Sequence, residues 1–595
     1  MSEGEVPKAL SGVGGWLDDR FHGAAYSRKL MRKIFPDHWS FMLGEIALWS
    51  FVILLLTGTF LSLFFEPSMA QTIYHGSYTK LDGIPMSQAY SSVLRISFDV
   101  RGGLLIRQIH HWAADIFVAA MCLHMLRNFF TGAYRKPRDL TWLIGVAILG
   151  LTLVEGLFGY SLPDDQLSGA GLRIFEGVLQ GIPIIGTYAS YFLFGGAYPG
   201  TQIIPRMYIM HVLLIPGLLL ALITAHTLIV VHQKHTQYPT KEHTEKNVVG
   251  HPFYPYFIVK GTAWFFFIFA GLVLLATFAQ INPIWLYGPY TPVSISSASQ
   301  PDWYLGILEG ALRIMPAWEI NFLGHTLSMS VLIPFALPLG IILGGAAIWP
   351  WFEAWAIGDK ARHNILDRPR NVPVRTGIGV AAIIFYGVLW VEGANDVIAD
   401  RFAIPLYTVT WIARVLVFAG PAGGFLATRQ FCLLLQRRDR EKLAHGVETG
   451  IIRQTPAGAF HEVTRPVTAD ERAVLTARNP AVTGEPMAPL PVGSGVRAPG
   501  SGTVRAVRAR ARAAFIDSFP LPAAGQHNGH DGNGNDGNGH DGNGNGQAGN
   551  GQAGNGQAGN GHLGDGRRGA AGPLDETGTG SRSALPTGRD EGDDN

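Results

Sequence analysis

The chain has 595 residues, of which 47% are hydrophobic and only 15% are charged, and its net charge is +2. This balance does not favour binding to nucleic acid, and the two cysteines, Cys122 and Cys432, lie in apolar segments, which argues against a disulfide framework or a thiolate metal cluster. The apolar residues are concentrated before about residue 435, so we predict an all-α membrane protein rather than a soluble one.

Eight stretches are long and apolar enough to cross a bilayer as helices, which takes about 20 residues. They cover residues 41–65, 106–130, 140–160, 206–232, 257–279, 322–348, 376–395 and 404–434. The preceding residues, 1–40, are polar and basic and lack the pattern of a cleaved signal peptide.

Lysines and arginines are unevenly divided between the two sides of these spans. The N-terminal segment and the loops on its side carry 17 of them, and the opposite loops carry 6. Because basic residues near span ends stay on the cytoplasmic side, we predict a multi-pass protein of the cell (plasma) membrane with both termini in the cytoplasm.

The composition changes after Arg437 and Arg438, where a low-complexity run rich in Asn and Gly follows. Residues 446–595 cannot bury an apolar core, so we predict a disordered tail. Its histidines, His527, His530 and His540, could bind a metal ion, but a solvated tail is the better interpretation.

Histidines occur in pairs within two of the predicted spans: His110 and His124, fourteen residues apart, and His211 and His226, fifteen apart. At about 100° per residue, these spacings return to within about 40° and 60° of the same helix face, about 21 to 22 Å along the axis. A lone intramembrane histidine more often forms an interhelical hydrogen bond. Two matched pairs instead favour ligation, since a buried imidazole is costly unless it is paired or ligated.

The second and fourth spans run in the same direction, which predicts two metal centres stacked through the membrane. His110 would pair with His211 near the outer face, and His124 with His226 near the inner face. Bare metal ions would need further polar ligands in the same layer, and none is obvious in the sequence beside these histidines. Haem iron needs only two axial ligands beyond its porphyrin, so we expect two haem b groups rather than bare metal ions.

Glycines and arginines accompany the histidines. Two glycine pairs share the fourteen-residue spacing, Gly44 with Gly58 in the first span and Gly145 with Gly159 in the third. Glycine costs about 1 kcal/mol relative to alanine in a helix, so the pairs suggest clearance for a flat macrocycle, with ordinary close helix packing as the alternative. Arg107 and Arg127 flank the second span's histidines and could pair with haem propionates or extend to the membrane surface.

With these residues in place, the chain resembles cytochrome b of the respiratory cytochrome bc complex, the quinol:cytochrome c oxidoreductase. The supporting segments are "AYSSVLRISFDVRGGLLIRQIHHWA", "TGAYRKPRDLTWLIGV", "GYSLPDDQLSG" and "PDWY" at 301–304. The resemblance covers about residues 38–434. It implies eight transmembrane helices, the first four enclosing a low-potential haem near the outside, at His110 and His211, and a high-potential haem near the inside, at His124 and His226.

The resemblance implies a quinol oxidation pocket at the outer face, formed by Pro301, Asp302, Trp303 and Tyr304. The family usually has Glu at the second position, and the shorter Asp302 needs a closer quinol or a bridging water to accept its proton. By itself the tetrapeptide would fit a membrane-surface turn with aromatic side chains. Asp302, Tyr304 and Glu155 are the predicted catalytic residues, although Glu155 and Asp115 could each simply pair with a polar neighbour.

At the inner face the resemblance implies a quinone site. His232 lies six residues after His226, as in the family, and is expected to hydrogen-bond a quinone carbonyl, while Lys260 matches the family's basic residue. The acidic residue that usually follows this lysine is replaced by Gly261. The family's route for proton delivery therefore cannot be transferred to this chain.

Four parts of the chain are predicted. They are the cytoplasmic segment 1–40, the dihaem four-helix bundle 41–235, the last four spans with the outer quinol motif 236–435, and the largely disordered cytoplasmic extension 436–595.

The implied reaction is bifurcated quinol oxidation, with one electron passing to a Rieske iron-sulfur protein and the other crossing the two haems to the inner quinone, coupled to proton translocation. A c-type cytochrome and a homodimeric complex in the lipid bilayer are the other implied partners. The long extension and "LPDDQLSG" resemble actinobacterial members, which implies menaquinol, a diheme cytochrome and a supercomplex with a terminal oxidase.

Two other functions fit the sequence less well. A dihaem membrane anchor for a dehydrogenase would lack the outer tetrapeptide and the last four spans. A proton-coupled transporter would be expected to have broken helices and inverted repeats, which the sequence does not suggest.

Overall fold

A computed structural model describes residues 12, 15–16, 18–20, 23–294, 300–477 and 507. Within these residues, eight helices are long and apolar enough to cross a membrane. In chain order these spans are Trp39–Ser62, Gly103–Thr131, Asp139–Ser161, Ile203–Gln233, Phe253–Phe278, Met329–Ile357, Pro373–Glu392 and Leu406–His445. The predicted all-α membrane fold with eight spans is confirmed.

The first four spans pack around a shared apolar core. Phe51 of the first span lies 5.6 Å, between ring centroids, from Phe117 of the second. Ile148 of the third span and Leu219 of the fourth belong to the same buried cluster. Because lipid is as apolar as these side chains, such helices associate through close van der Waals packing rather than through the hydrophobic effect.

The remaining spans extend this bundle. The fifth span lies against the first two, where Ile268 packs with Ile53. The seventh and eighth spans approach closely at glycine, and a Cβ built at Gly377 would lie 2.8 Å from the ring of Phe425. Small residues at these positions let helix backbones come together in the membrane.

Wide helical turns with i→i+5 hydrogen bonding occur in three spans. They cover Met210–Leu214 in the fourth, Phe253–Phe257 at the start of the fifth, and Gly340–Gly345 in the sixth. The sixth span also contains Pro334, Pro338 and Pro350, which lack a backbone N–H and interrupt the regular ladder. Wide turns often mark functional sites, and the one in the fourth span includes His211.

The sixth span begins at Met329, seven residues later than the sequence predicts. The preceding residues form a hairpin in which strand Glu319–Phe322 pairs with His325–Ser328. Leu323 and Gly324 make the turn with φ values of 49° and 77°, a left-handed conformation that glycine adopts readily. The prediction was wrong here because the apolar hairpin residues read as the start of the span.

Shorter elements cover both ends of the bundle. The helices are Gly23–Met31, Gln88–Phe98, Gln166–Gln180, Gly186–Phe194, Gly306–Ile314 and Asn395–Phe402. Strand Gln71–Ile73 pairs with Pro85–Ser87, and Ile34–Phe35 pairs with His251–Pro252. The second pairing fastens the segment before the first span to the start of the fifth.

The predicted disordered tail starts too early at residue 446. Strand Val447–Gln454 pairs with Phe460–Arg465, and helix Ala469–Thr476 follows, begun by a capping box at Thr468. Arg368 also binds Asp439 on the eighth span at 3.1 Å, so the end of this helix is tied to the loop before the seventh span. The sequence prediction assigned this hairpin to the disordered tail together with the low-complexity run. Most of residues 478–595, including His527, His530 and His540, lie outside the described residues.

Candidate functional site

The four intramembrane histidines come from the second and fourth spans, as predicted. The ring centroids of His110 and His211 are 6.2 Å apart, and the ring planes are 78° from parallel. Two metal–imidazole bonds of about 2 Å, together with the ring radii, require a centroid separation of about 6 Å. His226 lies close enough to His124 for those two rings to interact electrostatically.

The wide turn in the fourth span explains why its histidines are fifteen rather than fourteen residues apart. An i→i+5 turn contains one residue more than an α-helical turn. This turn, Met210–Leu214, includes His211 and extends from it towards His226, so it absorbs the extra residue. The fifteen-residue spacing therefore has nearly the rotation of a fourteen-residue α-helical spacing, which matches the second span.

The predicted glycines lie against the histidine rings. A Cβ built at Gly44 would be 3.2 Å from His124 Cε1, and one at Gly58 would be 3.2 Å from His110 Cε1. The corresponding distances in the third span are 3.6 Å from Gly145 to His226 and 2.5 Å from Gly159 to His211. Each histidine is thus faced by one glycine. A Cβ at Gly159 would have to displace the His211 ring, those at Gly44 and Gly58 would make tight contacts, and one at Gly145 would make an ordinary contact.

The outer pair consists of His110 and His211. The hydrogen bonds of these two rings leave one nitrogen of each ring available to a metal. Thr57 Oγ1 lies 2.9 Å from His110 Nδ1, and the Glu155 carboxylate lies 2.9 Å from His211 Nδ1. Partners on Nδ1 orient an imidazole so that Nε2 can ligate. Glu155, predicted as a catalytic carboxylate, thus contacts a histidine ring directly.

The inner pair, His124 and His226, forms fewer hydrogen bonds with the rest of the protein. Among the described residues, the buried Nδ1 atoms of His124 and His226 have no partner. His124 Nε2 lies 3.0 Å from the Asn128 amide. Four partly buried imidazoles, each faced by a glycine, fit a pair of bis-histidine haem groups, because a macrocycle needs flat clearance as well as axial nitrogen ligands.

The two predicted propionate partners make different contacts. Arg107 Nη2 donates to the Asn282 carbonyl at 3.1 Å, while its buried Nε has no partner among the described residues. Arg127 Nη1 donates to Asn128 Oδ1 at 2.6 Å, and its guanidinium lies over the Phe41 ring. Arg107 therefore keeps a donor available for an anionic group beside the outer pair.

The outer tetrapeptide opens into the same cavity as the outer histidine pair. This cavity of about 460 Å³ is lined by His110, His211, Arg107, Asp302 and Tyr304, among others. Its walls are mostly apolar, with polar groups at a few points, as in a site for an apolar ligand with a polar head.

Within the tetrapeptide, Tyr304 donates to Asp302 Oδ2 at 3.0 Å. Burial raises the pKa of Tyr304 well above its usual value, so the phenol remains a proton donor in this hydrogen bond. Trp303 packs edge-on against Tyr304, and its carbonyl accepts a hydrogen bond from the Trp390 indole at 3.0 Å. Neither Pro301 nor Trp303, the two predicted quinone-binding residues of the tetrapeptide, is among the residues that line the cavity.

Sequence reasoning missed His111. Its Nε2 lies 3.1 Å from Asp302 Oδ1, and both side chains are 15% exposed. Asp115, one helical turn further on, supplies a third polar group within 4.8 Å of these two. The four-residue spacing of His111 and Asp115 was the available signal, since residues i and i+4 share a helix face.

At the face predicted to be the inner one, Lys260 forms an ion pair with Asp37, which also accepts a hydrogen bond from the Tyr256 hydroxyl at 2.9 Å. The Lys260 ammonium holds the pKa of Asp37 below its usual value. His232 is exposed near the end of the fourth span. The sequence reasoning did not identify Asp37, because its partner is more than two hundred residues away.

Comparison with known proteins identifies the family. Residues 115–289 match the family described as "Cytochrome b(N-terminal)/b6/petB". The cytochrome bc1 complex cytochrome b subunit of Streptomyces coelicolor is 50% identical over 476 residues, covering 80% of this chain and 87% of that protein. The subunit of the same name from Mycobacterium tuberculosis is 49% identical over 468 residues, covering 78% and 85%.

A solved structure described as "Hyperthermophilic respiratory Complex III" is similar in fold. The TM-score is 0.53 and the sequence identity 24%, over 71% of this chain and 98% of that chain. At this identity the likeness supports the fold alone.

Proposed function

Because the chain belongs to the cytochrome b family, as the cytochrome b subunit of a bc1-type quinol–cytochrome c reductase, we propose that it oxidises quinol at Asp302 and Tyr304 and reduces quinone near His232 and Lys260. It is a multi-pass membrane protein of a multi-subunit complex, and its family implies haem b. The observation that carries the proposal is the cavity shared by the outer histidine pair and the outer tetrapeptide.

The residues that would hold two haem b groups are His110 with His211 and His124 with His226. When bound, the haems would supply one-electron transfer between the two faces of the membrane. Thr57 and Glu155 fix the outer imidazoles, and the facing glycines give each ring clearance. Arg107 would bind a propionate of the outer group, and Arg127 one of the inner group.

At the outer site, the chain's own residues would bind quinol and accept its protons. Asp302 would receive a proton from a quinol hydroxyl, and the hydrogen bonds from His111 and Tyr304 hold its carboxylate in position. The shared cavity keeps water away from the reacting hydroxyl through its apolar lining. Glu155 also lines the cavity, and its second oxygen is buried without a partner among the described residues, so Glu155 would take part in proton release.

The remaining parts of the proposal concern partners and orientation. A Rieske iron-sulfur protein would take one electron of each quinol and a c-type cytochrome would follow it, in a homodimeric complex. Menaquinol is the proposed substrate, with a diheme cytochrome and a terminal oxidase as further partners. The excess of basic residues in alternate loops supports a cytoplasmic location of both termini. The last four spans and the Asp302 site disfavour a dihaem membrane anchor.

The histidine assignment is tested by spectra of the purified complex. The reduced-minus-oxidised spectrum should contain two b-type components that redox titration resolves. His110→Ala should remove the component of lower potential, and the matched variant His124→Ala should remove the other. Loss of both components in each variant, or of neither, would contradict the pairing.

A further inference from the structure

The inner quinone site lacks an acidic residue at position 261, but a carboxylate lies beside that position. Gly261 is buried in the fifth span, and Glu45 lies in the first turn of the helix Met42–Ser62. If Gly261 had a side chain, its Cβ would lie 3.8 Å from Glu45 Oε2, with no other contact of that range among the described residues. The first span thus places a carboxylate where a side chain at 261 would extend.

The Glu45 carboxylate has an oxygen that forms no hydrogen bond within the described part of the chain. Its Oε2 is buried and has no partner among the described residues. Two indole nitrogens on the same two spans, Trp49 Nε1 and Trp264 Nε1, are buried and unpartnered in the same way. Trp49 lies one helical turn after Glu45 in the first span, and Trp264 lies one turn after Lys260 in the fifth span. The unpartnered groups therefore lie at the interface between these two spans. Buried polar atoms are normally satisfied, so such a set indicates a site for a polar ligand.

Charged groups connect Glu45 to the inner surface. Lys260 lies close enough to Glu45 to act on it electrostatically, and the same lysine is paired with the one-third exposed Asp37. Tyr256 also donates to Asp37. On the second span, His124 lies against Gly44, and Arg127 donates weakly to the Ser40 carbonyl at 3.4 Å. Glu45 therefore stands between an exposed ion pair and the inner histidine.

The end of the fourth span is also near. Phe41, one turn before Glu45, lies 4.3 Å from the His235 ring, between ring centroids. His235 is three residues after His232, the residue proposed to hydrogen-bond the quinone. The start of the first span and the end of the fourth therefore meet at the proposed inner site.

We propose that Glu45 is the proton donor to quinone at the inner site, in place of the acid missing at position 261; this inference rests on the proposed function. Quinone becomes quinol by gaining two electrons, which originate from quinol oxidised at the outer site, and two protons. Glu45 gives one proton to a quinone oxygen, and its carboxylate is then reprotonated from the cytoplasm by way of Asp37 and Lys260. The second proton enters at the other oxygen, on the His232 side.

The inference is tested by moving the carboxylate. Glu45→Gln should slow quinone-dependent reoxidation of the inner haem in the purified complex by about 100-fold, as expected for loss of a proton donor. Adding Gly261→Asp to Glu45→Gln should restore much of the rate, because the new carboxylate would extend into the same space. The matched control, Gly261→Asn in the Glu45→Gln background, should not restore it.

Infrared difference spectra of quinone reduction give a readout independent of rate. A carboxyl C=O band should be lost in Glu45→Gln and replaced in the Gly261→Asp double variant, while the inner haem's midpoint potential stays unchanged. An unaltered rate and band in Glu45→Gln, or equal rescue by Asn and Asp, would overturn the inference. If the parent complex itself cannot reoxidise the inner haem with quinone, the proposed function fails as well.

Discussion

Replacing Gly159 by alanine tests whether the third span is shaped around a haem. The added Cβ would lie 2.5 Å from Cε1 of His211, about 1 Å closer than an ordinary carbon–carbon contact of about 3.5 Å. The ring or the backbone must therefore move. The same change at Gly145 provides a matched control, because its Cβ would lie 3.6 Å from Cε1 of His226, which is an ordinary contact.

The two substitutions should differ in their effect on haem binding. Overpacking a filled site costs about 1–3 kcal/mol, which corresponds to a loss of roughly 5- to 150-fold in haem affinity. Alanine also favours a helix over glycine by up to about 1 kcal/mol, and this gain is shared by both variants. Gly159→Ala should therefore weaken the outer haem, whereas Gly145→Ala should retain the inner haem and leave thermal stability equal or slightly higher.

The measurement is a redox titration of b-type absorbance in complexes purified from equal amounts of membrane. Gly159→Ala should show a smaller or shifted component of lower potential and a normal component of higher potential. If Gly145→Ala removed as much haem as Gly159→Ala, or if Gly159→Ala affected the component of higher potential, the clearance argument would be wrong.

Three further outcomes follow from individual contacts. Thr57→Val removes a hydrogen bond to His110 worth about 1 kcal/mol. The outer midpoint potential should therefore rise by up to about 40 mV, and an equal shift in the inner potential would refute this assignment. Asp302→Asn should lower quinol-dependent cytochrome c reduction about 100-fold with unchanged haem spectra, and a normal rate would remove Asp302 from the mechanism. The pKa of Asp37 is lowered by Lys260, so this pair stabilises the fold above the ordinary value of 3.8 and stops doing so as pH falls through the lowered pKa. The melting temperature of Asp37→Asn should thus lie below that of the parent at pH 7 and approach it towards pH 3, and a constant difference would contradict the ion pair.

Apolar length and periodicity were sufficient to predict the spans and the histidine pairs, because both depend on local geometry. A helix must be about 20 apolar residues long to cross the bilayer, and ligands on one face must recur with the helical period. The pairing of His110 with His211 also followed, since it requires only the direction of each span.

Contacts between segments that are far apart in the sequence were harder to predict. Asp37 reaches Lys260 because strand Ile34–Phe35 pairs with His251–Pro252. No local sequence pattern predicts a strand pairing of only two residues. The contact between His111 and Asp302 likewise depends on how the outer loop folds over the second span. The hairpin before Met329 was missed because its apolar residues resemble the start of a span.

The wide turn Met210–Leu214 has a consequence for changes in chain length during evolution. Deleting one residue within this turn would restore a regular α-helix and give His211 and His226 the fourteen-residue spacing of the second span, with little rotation between them. Deleting one residue between His110 and His124 would instead turn His124 by about 100°. The fourth span is therefore open to single-residue loss at a position where the second span is not.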